Sequence, residues 1–246
     1  MGVFEGRFPQ WAYLIGYNAV SALLWTFIFG RAAAVALSNG LSEVYLHPSV
    51  KIMVLFTQSL AALDILHSII GLVNAPVLTS LLQPLRQAMG TWWLVPLHLR
   101  KCSFLCALAA NSECRSVQVA GRCTVLWLVV ETYQSSGLSP FYGLMVLAWS
   151  AADTIRYLYF ATRLVGGHQY YNLTWLRYSV FYVLYPLGIA SEVGVVYETI
   201  SEAFALGYNT HAWSYIAAAT LYIPAAPTLF NHMRRQRRKV LAYGKN

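Results

Sequence analysis

The chain has 246 residues, of which 58% are apolar and 11% charged, and it carries a formal charge of +8. A water-soluble domain carries about 25% charged residues because its surface must be wetted, so this composition excludes an ordinary soluble globular protein. The basic residues stand between apolar runs and at the C-terminus, which points to orientation in a bilayer and away from a nucleic-acid partner. Tyr and Trp, 17 and 8 in number, are the residues that favour the boundary between lipid and water.

The apolar run that follows the first ten residues is too long for the core of a cleaved signal. A bilayer takes about 20 mostly apolar residues per helix, and six segments qualify: residues 11–30, 52–73, 119–132, 141–162, 178–197 and 213–232. The third is short and must borrow flanking residues. The sixth carries Pro224 and Pro227, which a membrane helix accommodates as a kink. With the N-terminus in the cytosol, only Arg31 and Lys51 fall in non-cytosolic connections. The other 15 of the 17 basic residues face the cytosol, among them Arg234, Arg235, Arg237, Arg238 and Lys239 near the end. That asymmetry follows the rule that cytosolic loops hold Lys and Arg. The expected fold is an all-α bundle of six transmembrane helices, one domain over residues 1–246, with both termini cytosolic.

Residues 84–118 interrupt that pattern, because Arg86, His98, Arg100, Lys101, Glu113 and Arg115 break up their apolar runs. One more span here would invert everything after it, so a cytosolic or interface-lying excursion is expected. Cys102, Cys106, Cys114 and Cys123 lack the paired spacing of a zinc site. They are expected as reduced thiols, with no metal.

A charged group at bilayer depth costs about 2.5 to 3.5 kcal/mol on insertion scales, which makes each one a functional candidate. The candidates are Asp64 and His67 in the second span, Arg122 and Glu131 around the third, Asp153 and Arg156 in the fourth, and Glu192 in the fifth. The plainer reading is that these residues pair with one another as helix glue, or that the arginines snorkel. In the fifth span Tyr185 and Glu192 are seven residues apart, which puts them on nearly one helical face, about 10.5 Å apart along the axis. Pro186 removes an amide donor and can bend the helix, while Gly188 permits close approach of a chain or ligand. A phenol and a carboxylate so placed form a possible acid/base pair.

The run LRYSVFYVLYPLGIASE from Leu176 to Glu192 resembles the signature of the 3-hydroxyacyl-CoA dehydratases of very-long-chain fatty acid elongation, formerly called protein-tyrosine-phosphatase-like proteins. YLIGYNAVSALLW, ALDILHSIIGLVNAPVLTSLLQ, VAGRCTVLWLVV, WSAADTIRYLYF and YIPAAPTLFNHMRRQRRKVL agree in order. The resemblance implies six helices in the endoplasmic reticulum membrane. The implied activity is loss of water from a long-chain (3R)-3-hydroxyacyl-CoA to give the trans-2-enoyl-CoA, the third step of elongation. It needs no cofactor, and the implied surroundings are membrane lipid and the other enzymes of the cycle. Tyr185 and Glu192 match the family's catalytic pair, with the division of acid and base left open. Arg122, Arg156, Arg177 and Gly188 match supporting or substrate-binding positions.

Asp64 and Asp153 stand where the family carries Glu, which keeps the charge and shortens the reach. Residues 84–118 have no counterpart in the family pattern, so the alternative is a catalytically impaired relative acting as a membrane scaffold. A transporter would need a polar face through the whole bilayer, whereas these acids are few and scattered. The phosphatase name has no chemical support, since none of the four Cys is followed by Arg six residues later.

Overall fold

The computed structural model describes residues 8–61, 63, 64, 67, 121–166, 170–220 and 222–243. The whole of the expected excursion at 84–118, the end of the second expected span and the start of the third lie outside these residues. Among the described residues every regular element is helical and there is no strand. The elements in chain order are α1 (Phe8–Asn39), a 3₁₀ turn (Leu41–Val44), α2 (Pro48–Ala61), a π-helical stretch (Val125–Val130), α3 (Gln134–Leu138), α4 (Pro140–Gly166), α5 (Tyr171–Arg177), α6 (Phe181–Ala205), α7 (Asn209–Thr220) and α8 (Tyr222–Tyr243).

Two stretches, Gln10–Asn39 and Tyr171–Ala205, are long and apolar enough to cross a bilayer, with 33% and 28% of their most apolar windows buried. A core helix of a soluble protein would hide most of such a surface, whereas here Leu23 and Leu37 are 70% and 90% exposed. This is the surface of an all-helical membrane protein, with lipid wetting the outward face. Helix α4 has 27 residues, and Asp153, Arg156 and Arg163 interrupt its apolar character.

The described residues fall into two compact units. The first comprises Met1–Thr57, Gly137–Glu192 and Gln236–Asn246, and the second Gln58–Ser136 and Val193–Arg235. In the first unit α1 packs along α4. Its inward stripe of Tyr17, Ser21, Ala22, Trp25, Ile28, Ala32 and Val35 is buried and recurs at three- and four-residue steps, the helical period. The two helices run antiparallel. Trp11 Nε1 donates to the Leu164 carbonyl at 3.0 Å, and beyond the far end of α1 the rings of Tyr45 and Tyr142 meet edge to face at 5.3 Å.

Gly143 lets the 3₁₀ turn sit directly on α4, since a Cβ there would fall inside contact distance of the Leu41 carbonyl oxygen. Backbone cannot swing aside as a side chain can. Gly143→Ala is therefore expected to cost about 1 to 3 kcal/mol of stability, read as a lowered thermal midpoint of the detergent-solubilised protein. An unchanged midpoint would count against this close approach.

In the second unit Tyr133, Ala203 and Ala212 form a buried cluster flanked by Ile200 and Tyr215. The short third segment is wound as a π-helix, where the Glu131 amide reaches back five residues to the Leu126 carbonyl. The Tyr215 hydroxyl donates to the Leu128 carbonyl at 2.7 Å. Helix α6 closes on Gly207, whose φ of +80° suits a residue without a Cβ. The Tyr208 amide then reaches the Ala203 carbonyl and the Gly207 amide the Phe204 carbonyl, a paired closure that satisfies the last turn.

Candidate active site

Helices α5 and α6 carry Arg177, Tyr185, Gly188 and Glu192, all within the first unit. Pro186 lies inside α6, so the Tyr182 carbonyl lacks the amide it would bond in an unbroken helix. At 100° per residue, Tyr185, Gly188 and Glu192 fall within a sector of about 60° on α6. Tyr185 and Glu192 are both half-buried, and they interact electrostatically. Gly188 lies between them and is buried, yet a Cβ added there would meet nothing within 4 Å. Among the described residues no other chain segment closes on this glycine, which faces open space flanked by the phenol and the acid.

Helix α4 supplies the other wall. Trp149, only 2% exposed, donates its indole N–H to Glu192 Oε1 at 2.8 Å. Asp153 and Arg156 follow on the same face, four and seven residues further along. They bond to each other, Arg156 Nε lying 3.4 Å from Asp153 Oδ1, and the Arg156 guanidinium also lies 4.6 Å over the Tyr157 ring. The helices are antiparallel, since Tyr159 meets Tyr178 edge to face at 6.4 Å while Trp149 meets Glu192. Tyr185, midway between those two rungs, is level with the Asp153–Arg156 stretch.

Arg177 is held among aromatic faces, its guanidinium 4.3 Å from the ring centres of both Tyr159 and Phe160 and 5.5 Å from that of Tyr178. Such stacking with Arg is worth about 0.5 to 2 kcal/mol per face, more where water is excluded. The residues expected from sequence thus divide. Tyr185, Gly188, Glu192, Asp153, Arg156 and Arg177 belong to the first unit; Asp64, which is buried, and Arg122, which is half-buried, belong to the second. Among the described residues, no three His, Cys, Asp or Glu side chains gather as a metal site.

Two further participants carry no motif in the sequence. Trp149 bonds the acid across 43 residues of chain. The one signal for it is a donor-only indole four residues before Asp153 in an apolar run, because a buried indole N–H needs an acceptor. Arg237 of α8 reaches the start of α6, donating from Nε to Ser179 Oγ at 3.2 Å.

The model of the family described as "Protein tyrosine phosphatase-like protein, PTPLA" matches residues 102–243, beginning inside the 84–118 segment. Among curated relatives, the very-long-chain (3R)-3-hydroxyacyl-CoA dehydratase PASTICCINO 2A of Oryza sativa subsp. japonica is 30% identical, over 95% of this chain and 94% of its own. The very-long-chain (3R)-3-hydroxyacyl-CoA dehydratase hpo-8 of Caenorhabditis elegans is 28% identical, over 94% of this chain and 95% of its own. The very-long-chain (3R)-3-hydroxyacyl-CoA dehydratase 2 of Homo sapiens is 28% identical, over 94% of this chain and 82% of its own. No solved structure matches the chain. A family model that covers more than half of the 246 residues, joined to relatives that align along nearly the whole length, makes this chain a member of the protein tyrosine phosphatase-like (PTPLA) family.

Proposed function

We propose that the chain is a very-long-chain (3R)-3-hydroxyacyl-CoA dehydratase that removes water to give the trans-2-enoyl-CoA. The observation that carries this reading is the open space before Gly188, with Tyr185 and Glu192 on its two sides along one helical face. The names of the relatives agree with it. Elimination needs a base for the C2 proton and an acid for the C3 hydroxyl. Glu192 takes the C2 proton, the electron pair forms the C2–C3 double bond, and the C3–O bond breaks. Tyr185 protonates the departing hydroxyl, so water leaves. The proton on Glu192 then returns to the Tyr185 phenolate and resets the pair.

The indole of Trp149 orients this acid. An indole N–H can only donate, and here it holds one carboxyl oxygen of Glu192 in place. Asp153 and Arg156, level with Tyr185, act as a paired support for α4 rather than as loose charges. Arg177 fixes the join between α5 and α6, and Asp64 and Arg122 are read as supporting residues. The substrate enters from the cytosol, and Tyr185 and Glu192 lie about 6 Å and 16 Å beyond Phe181 along α6. The extended pantetheine arm bridges such a depth while the acyl chain lies among apolar helices.

The reading includes one six-helix domain over residues 1–246, both termini in the cytosol and a cytosolic excursion at 84–118. It also includes a multi-pass location in the endoplasmic reticulum membrane beside the other elongation enzymes. The direct test is conversion of a long-chain (3R)-3-hydroxyacyl-CoA by membranes containing the protein, with the enoyl product resolved chromatographically. Membranes that give no product above those lacking the protein would overturn the assignment. Gly188→Ala should fold normally, because its Cβ enters open space. Its kcat/KM should fall about tenfold, the kinetic equivalent of about 1.4 kcal/mol of overpacking against substrate. An unaltered kcat/KM would mean that substrate does not occupy this space.

A further inference from the structure

Arg122, Arg156 and Arg177 match supporting or substrate-binding positions in the sequence, and two of these have other work in the structure. Arg156 bonds Asp153, and Arg177 is enclosed by three rings. Arg237 differs. Its Nε donates to Ser179 Oγ at 3.2 Å, and its guanidinium lies 5.6 Å over the Tyr182 ring. Both contacts orient the group and neither uses its terminal amino pair, which meets no partner among the described residues. That pair is the edge with which Arg grips a phosphate through two parallel hydrogen bonds.

The location fits as well. Ser179 and Tyr182 are about two turns and one turn before Tyr185, and the midpoint between Tyr185 and Glu192 is about 12 Å further along the axis. An extended pantetheine arm spans that distance. Arg238 and Lys239 follow directly and are exposed, and residues 203–246 hold no acidic side chain.

We infer that the end of α8 forms the phosphate site of the substrate, with Arg237 as its oriented ligand and Arg238 and Lys239 adding charge beside it. This inference rests on the dehydratase reading. The chemistry recognised is a phosphate ester, and the CoA nucleotide is the source to which the position one turn before Tyr185 points. Lipid headgroups offer the same chemistry.

The experiment compares two thioesters of the same 3-hydroxyacyl chain, one with CoA and one with pantetheine, which lacks the nucleotide. With Arg237→Gln, the ratio of kcat/KM for the CoA thioester to that for the pantetheine thioester should fall about tenfold, chiefly through a higher KM for the CoA thioester. The pantetheine thioester also serves as the control for folding. A ratio equal to that of the unaltered protein would overturn the inference, whether both rates hold or both fall. Equal losses that follow the anionic lipid content of the vesicles would assign Arg237 to headgroups instead, and would also overturn it. If the unaltered protein turns over neither thioester, the dehydratase reading itself fails, which is a separate outcome.

Discussion

Exchange of Glu192 for Gln is expected to lower kcat for dehydration by about 10² to 10⁴-fold, the usual contribution of a positioned acid or base. The amide keeps the volume of the side chain and can still accept the Trp149 N–H through its oxygen, so packing survives while the proposed base is lost. Tyr185→Phe should fall in the same range, since it removes the proposed acid and leaves the ring. The two losses should not add. Once one half of a concerted transfer is missing the other has little left to contribute, so the double variant should resemble the more damaged single one. Turnover by either single variant at the rate of the unaltered protein, in membranes holding equal amounts of chain, would remove that residue from the mechanism.

Trp149→Phe carries the second largest expected effect, a fall in kcat of about 10²-fold with KM nearly unchanged. The indole fixes one oxygen of Glu192 at 2.8 Å. Without it the carboxylate can rotate away from C2, and a displacement of about 1 Å costs on that scale. A merely structural role would reduce the amount of folded protein and leave the kcat of what remains. Trp149→His tests the difference, because it restores a ring N–H at a similar distance from the backbone while sacrificing bulk. Partial recovery of kcat by His over Phe is the expected result. If His and Phe are equally impaired, the N–H has no positioning role.

Part of this architecture is legible in the chain itself. The apolar runs of α1 and α6 are long, and a window of that length and composition has few structural outcomes. Tyr185, Gly188 and Glu192 belong to one helix, so their spacing alone predicts their shared face. Asp153 and Arg156 likewise pair within α4, as the helix-glue reading of the sequence anticipates. Other features depend on neighbours remote in sequence. The π-helical winding at Val125–Val130 leaves no periodic mark in six apolar residues, and it shows where the third segment falls short of a regular span. Trp149 and Glu192 are 43 residues apart, and Arg237 and Ser179 are 58 apart. Which donor reaches which acceptor across such distances is settled by packing, and composition carries no record of it. The basic tail is instructive on this point. Its bulk charge is plain in the sequence, while the docking of one member of that cluster beside α6 follows from a serine and a tyrosine far upstream.

The unit that holds Tyr185 and Glu192 is assembled from stretches far apart in the chain, Met1–Thr57, Gly137–Glu192 and Gln236–Asn246. During synthesis, α1 must therefore wait for α4, and the arrangement around Ser179 stays unfinished until Arg237 has been made. A nascent chain arrested before Gln236 already holds Tyr185 and Glu192 and still lacks the guanidinium that reaches Ser179.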